Sequence, residues 1–170
     1  MSTVRTLLEE GAFHESTVEE VASRAGVARA TLYQHFGSRL GLVDAICETF
    51  GKNPALHALR EAVDLDAFIV HIVEFWATEE KVLDQLYGAA ALDPAAGDLV
   101  ERQHRDRQRE LKRLVGGLRL RRGLTEREAL ALLSVLSSFE TYQELRHRAS
   151  LSKREVVRTL QQTARLLLLP

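Results

Sequence analysis

Between Val21 and Leu40 the chain carries no acidic residue, while Arg24, Arg29 and Arg39 are cationic and Tyr33, Gln34 and His35 supply neutral polar tips. Those types at that spacing suit contact with a polyanion that also displays hydrogen-bonding edges. With Leu32 and Phe36 turned inward on one helix, Arg29, Ala30, Tyr33 and Gln34 fall on its outer arc, and Thr31 and His35 flank it. Gln34 can offer a donor–acceptor pair to adenine, Arg29 a fork to guanine, and the Tyr33 hydroxyl suits a phosphate. Arg39 with the start of the next helix makes a second phosphate clamp, and Thr17 ahead of the preceding helix a third. Each alone says little. An exposed Arg is usually a solvated charge, and a lone tyrosine is often a half-buried core aromatic. The conjunction points to DNA.

The elements that must position these side chains are short. Thr17 and Glu20 form a capping-box pattern at the start of one helix, whose inner face is Val18, Val21, Ala22 and Ala25. Gly26 stands where a left-handed residue closes a helix, and Val27 follows as its hydrophobic partner. A second helix covers about 29–36. The glycine turn between them predicts a helix-turn-helix. An earlier helix is expected over 2–10, ended by Gly11, with Phe13 dropping into the core, and a later one from Gly37-Ser38 to about Phe50. Gly51-Lys52-Asn53-Pro54 is the strongest break in the chain, which predicts domains at 1–51 and 52–170.

The segment TVEEVASRAGVARATLYQHFGSRLGLVDAI (residues 17–46) resembles the TetR family of one-component bacterial transcriptional regulators. The AGV turn, the TLYQHF stretch and the basic residue after it carry the likeness, which runs from Gly11 to about Phe50. By that resemblance Thr17, Arg29, Thr31, Tyr33, Gln34, His35 and Arg39 sit at DNA-contacting positions. The resemblance also implies a helical effector-binding domain that dimerises through its last two long helices. It implies a repressor released from a palindromic operator by a small molecule. There are departures. Ala28 stands where the family often has Ser, so a cap is lost, and Leu40 stands where an acid is common. The chain begins almost at its first helix, without the basic arm many relatives carry. Residues 1–51 hold 4 arginines against 7 acids, so weaker non-specific DNA binding than in basic-armed relatives is expected.

Low proline and plentiful Leu, Ala, Glu and Arg predict an all-α fold, a three-helix DNA-binding domain followed by a helical domain, about nine to ten helices in all. Beyond the boundary, helices are expected near 55–63, 66–77, 79–91, 94–121, 125–147 and 152–168, starting at Asp66, Pro94, Thr125 and Ser152 among others. The last two carry apolar residues on more than one side. A chain of 170 residues has limited interior for both, so a homodimer is expected in which they pair with their copies as a four-helix bundle. Its interface would hold Leu132, Leu136, Phe139, Val157, Leu160, Ala164 and Leu167. The other reading is that both helices simply close the core of one chain.

For an effector pocket between helices of 55–147 the candidates are Phe68, His71, Phe75, Trp76, Tyr87, His104, Phe139 and Tyr142, which suggests a small apolar or aromatic effector. Aromatics on helices more often build the core, since they carry much of its burial. The arginines at 105, 107, 109, 119, 121 and 122 alternate with acids and read as a solvated face. No P-loop, metal-ligand cluster or nucleophile motif stands in the sequence, so no catalytic residue, metal or cofactor is expected and an enzyme is disfavoured. The rival class is a helical dimeric interaction protein that keeps the helix-turn-helix as scaffold, without an effector. Cys47, the only cysteine, reads as a buried small hydrophobe. The opening MSTVRTLLEE is unlike a signal peptide, and no apolar run approaches the ~18 residues that span a membrane. A cytoplasmic, nucleoid-associated location and no membrane partner are therefore expected.

Overall fold

The computed structural model describes residues 18–38, 41, 44, 45, 47, 48 and 50–170. The expected helix over 2–10, Gly11, Phe13, the Thr17 cap and Arg39 lie outside them. Two short helices come first, α1 (Val18–Ala25) and α2 (Arg29–Phe36), and a 3-10 turn covers Phe50–Lys52. Then follow α3 (Pro54–Glu61), α4 (Leu65–Ala90), α5 (Pro94–Gly117), α6 (Glu126–Leu136), α7 (Phe139–Gln143) and α8 (Lys153–Leu168), with a π turn at Glu144–Arg148 after α7. Among the described residues that makes eight α-helices and no strand. The all-α class stands, and the expected count of nine to ten is slightly too high.

The helix boundaries follow local chemistry. Asn53 caps α3, its Oδ1 accepting from the Ala55 amide at 2.9 Å, and Pro54 occupies the first turn. α4 is one helix of 26 residues where two were expected. No Gly or Pro interrupts 65–87, and the Thr78 hydroxyl donates to the Glu74 carbonyl of the same helix at 2.8 Å rather than starting a new one. Its cap is Asp64, not Asp66: the Asp64 Oδ1 accepts from the Ala67 amide at 2.8 Å. α5 stops at Gly116-Gly117, short of residue 121, as two adjacent glycines favour. The capping boxes at Thr125/Glu128 and Ser152/Glu155 both form.

The expected helix over 125–147 is broken. Ser137 Oγ donates to the Leu133 carbonyl at 2.7 Å, and Ser138 Oγ accepts from the Thr141 amide at 3.1 Å and so caps α7. The carbonyls released at the break find partners in side chains. Arg107 donates to Ser134 O at 2.9 Å, Thr141 Oγ1 to Val135 O at 2.7 Å, and Trp76 Nε1 to Ser137 O at 3.1 Å. Buried carbonyls left unpaired are costly, and here the sequence supplies a donor for each of these.

The chain divides into two compact units, Met1–Lys52 with Glu79–Gln103, and Asn53–Thr78 with His104–Pro170. In the first, Val21, Ala22, Leu32, Phe50, Val82, Leu83, Leu86, Ala96 and Leu99 are buried. In the second, the core is a run of aromatic rings. Phe75 and Trp76 centroids lie 5.1 Å apart, Trp76 and Phe139 5.5 Å, and Phe139 and Tyr142 6.1 Å. Phe68, Ile69, Ile72, Leu133 and Leu160 are buried in the same unit. Such rings contribute offset and tilted contacts beyond the area they bury.

Candidate nucleic-acid interface

The turn between α1 and α2 is a glycine-closed helix end. Gly26 has φ +65°, its amide donates to Ser23 O at 3.1 Å, and the Val27 amide donates to Ala22 O at 3.0 Å. This pair of bonds is the Schellman arrangement, which reverses the chain and satisfies the last carbonyls of α1. Val27 stays 39% exposed, so the hydrophobic lid expected there covers the turn only in part. On α1, Val21 and Ala22 are buried; on α2, Leu32 is buried and Phe36 is half-buried. The two helices pack against each other.

That packing turns the polar residues of α2 outward. Arg29, Ala30, Gln34 and His35 are exposed, Tyr33 is 40% exposed, and Thr31 is half-buried. Six of the seven expected contact residues follow Thr17, and five of those six are described; all five lie on one eight-residue helix. Thr17 and Arg39 lie outside the described residues. The first turn of α2 holds no acid, and Ala28 in cap position makes no side-chain bond. The Thr31 amide donates to Ala28 O at 2.9 Å. A helix start of this kind carries partial positive charge and suits an anion. The Arg29 guanidinium lies over the Tyr33 ring, 5.2 Å from its centroid. His35 and Phe36 rings meet at 6.2 Å.

The far end of α2 falls at Gly37-Ser38, the expected break, and Gly41 adds a constraint that was not expected. Gly37 has φ +68° and its amide donates to Tyr33 O at 2.9 Å. Ser38 Oγ accepts from the Gly41 amide at 3.0 Å. A methyl group on Gly41 would collide with the Phe36 carbonyl, so glycine permits the close approach of the next segment to α2. The FGSxxG spacing was the available signal.

The expected effector residues fall in different surroundings. Phe68, Phe75, Trp76, Phe139 and Tyr142 are all buried core, at 6% exposure or less. His71 and Tyr87 are half-buried and His104 is exposed; Tyr87 belongs to the first unit and the other seven to the second. His104 instead meets Arg107 at 3.4 Å and Gln108 at 3.3 Å on its own helix. A surface groove of about 410 Å³ in the second unit is lined by Asp64, Asp66, Val70, Leu118, Gln161 and Arg165 among others, none of them a candidate. Of the expected interface residues, Leu132, Leu136, Val157 and Leu167 are half-exposed. Phe139, Leu160 and Ala164 are already covered by their own chain. Val135 at 65% and Leu166 at 73% exposure were not singled out, although each sits one helical step from residues that were.

Cys47 is of intermediate exposure. Burial pushes its thiol up to about 12, and the nearby Asp44 carboxylate adds to it. Among the described residues no group of three or more His, Cys, Asp or Glu is placed to hold a metal, and no helix is long and apolar enough to cross a membrane.

Residues 2–46 match the family model described as bacterial regulatory proteins, tetR family. That match covers the segment whose helix-turn-helix resembles the family. No curated protein matches the chain in sequence. Among solved structures, it is similar to a putative transcriptional regulator from Saccharomonospora viridis in complex with choline. That pair has a TM-score of 0.72 and 18% identity over 99% of this chain and 95% of that one. A putative TetR-family transcriptional regulator from Rhodococcus sp. gives 0.71 at 16% identity over 98% and 99%. A TetR/AcrR-family regulator from Thermobifida fusca gives 0.67 at 20% over 96% and 92%. At identities this low the likeness shows a shared fold and nothing more.

Proposed function

We propose, from an N-terminal segment of TetR type on a chain with the fold of TetR-type regulators, that this protein is a sequence-specific DNA-binding transcriptional regulator. The observation that carries the reading is the outer face of α2. Arg29, Tyr33, Gln34 and His35 are exposed there together, without an acid, on a helix held by a glycine-closed turn. A helix presented in this way fits the major groove, where Arg29 reads guanine, Gln34 reads adenine, and the amides at the start of α2 meet phosphate. Thr17, Thr31 and Arg39 complete the backbone contacts.

The protein acts as a homodimer. Leu132, Val135 and Leu136 on α6 and Val157, Leu166 and Leu167 on α8 keep apolar surface exposed or half-exposed, and pairing these helices with their copies removes it from water. Two copies of α2 then read a palindrome at about 34–36 Å spacing or a multiple of it. A small apolar or aromatic effector shifts the dimer to a state with the wrong spacing and releases the operator, and it must bind the two states with different affinity. The Saccharomonospora viridis protein, in complex with choline, supports a small ligand for this fold. In this chain the ligand does not occupy the packed space of Phe68, Phe75, Trp76, Phe139 and Tyr142.

The test is a gel-shift assay on duplexes that the purified protein enriches from a random pool. The Arg29→Ala, Tyr33→Ala double variant is expected to lose about tenfold or more in affinity. Unchanged binding would favour the interaction-scaffold reading.

A further inference from the structure

We propose that Tyr33 is a positioning residue for Arg29: its ring face holds the guanidinium in the orientation that meets DNA. The proposal rests on the DNA-binding reading above. The two residues are one helical turn apart on α2, and a helical side chain leans back toward the N-terminus, which brings the Tyr33 ring beneath Arg29. The 5.2 Å from the guanidinium carbon to the ring centroid is cation–π range.

The pairing answers an electrostatic problem of this helix. Arg29 is the first residue of α2, no acid stands in the first turn, and Ala28 contributes no side-chain oxygen. Partial positive charge collects at such a helix start and disfavours a cation. The negative face of an aromatic ring offsets that at the i+4 position. A long side chain held in place before binding also loses less rotamer freedom on contact. Both groups are on the exposed face of α2, so the stacked pair is what DNA would meet.

A phosphate contact through the Tyr33 hydroxyl and a platform role through the ring make opposite demands. The first needs the oxygen, the second only the ring. The experiment uses a duplex enriched by the wild-type protein from a random pool and titrates it with wild type, Tyr33→Phe, Tyr33→Leu, Arg29→Ala and the Arg29→Ala, Tyr33→Leu double variant. Tyr33→Phe keeps the ring and is expected to lose clearly less affinity than Tyr33→Leu. Tyr33→Leu is expected to bind about 2- to 5-fold more weakly per half-site. In the Arg29→Ala background the leucine is expected to cost nothing further. Thermal melts control for folding, and an exposed surface position is expected to leave them unchanged. The proposal is overturned if Tyr33→Phe is as weak as Tyr33→Leu, or if Tyr33→Leu costs the same with and without Arg29. If the wild type enriches no duplex, the DNA-binding reading itself fails and this role falls with it.

Discussion

At the scale of single residues, the proposed DNA specificity rests on few side chains. Gln34 is exposed beside Tyr33, and a Gln–adenine pair discriminates among bases where a phosphate contact does not. Gln34→Ala is expected to cost about 1–3 kcal/mol of binding and to relax the preference at one base position. Selection from a random pool reads this directly, and a full preference retained at every position would contradict the role. The lone thiol behaves oppositely to a reactive one. Burial first, then Asp44, pushes the Cys47 thiol up to about 12 from 9.0. Below pH 9 the thiol is protonated folded and unfolded alike and contributes no pH dependence. From about 9 to 12 the unfolded chain ionises first, so this group lowers stability as pH rises. Urea melts between pH 8 and 10.5 should therefore fall more steeply for the wild type than for Cys47→Ala. Parallel slopes would argue against a buried thiol. The outward set on α2 was legible in the sequence because Leu32 and Phe36 fix the phase of an eight-residue helix. Gly41 was not, because its reason is a carbonyl brought close by the fold.

At the scale of elements, turns and caps decide where α2 points. Gly26 has φ +65°, and a Cβ there meets nothing within 4 Å, so the cost of a side chain is conformational alone. Gly26→Ala is expected to lower stability by about 1–2 kcal/mol, read by denaturant unfolding; a change of a few tenths would mean that the turn tolerates an L residue. The two capping boxes add a pH signature. Hydrogen bonds from Thr125 hold the Glu128 carboxyl below its ordinary value, and those from Ser152 do the same for Glu155. A depressed carboxylate stabilises above its unfolded pKa, and that support is lost as pH falls through the folded value. Thr125→Ala and Ser152→Ala should therefore lower the melting temperature at pH 7, with the deficit shrinking once the pH drops below about 4. A deficit that stays constant would exclude the carboxylates. Both boxes were legible because the pattern is local. The break at Ser137-Ser138 was not, since it is held by Arg107 and Trp76 from distant parts of the sequence. The merging of 66–77 and 79–91 into α4 was hidden because Thr78 suits a cap as well as a helix interior.

At the scale of the whole molecule, a formal net charge of −1 leaves little long-range attraction to DNA, so the count of correctly placed contacts must supply affinity. Doubling those contacts through a dimer is the economical way to do so. The apolar residues left exposed on α6 and α8 were only half legible. Periodicity found Leu132, Leu136, Val157 and Leu167, but it did not separate them from Phe139, Leu160 and Ala164, which the chain buries itself. A helix that is apolar on several sides hides its partition between own core and partner until the neighbours are known. The same limit applied to Phe68, Phe75, Trp76, Phe139 and Tyr142, which share the bulk and rigidity of ligand walls and are buried in the core of the second unit. The most direct test of the account is a footprint, at single-nucleotide resolution, of the purified protein on the duplex it enriches from a random pool. Two symmetric protected half-sites about one helical turn apart, or a multiple of it, both lost in Arg29→Ala, are the result expected. No enriched sequence, or a single asymmetric site that Arg29→Ala leaves protected, would contradict it.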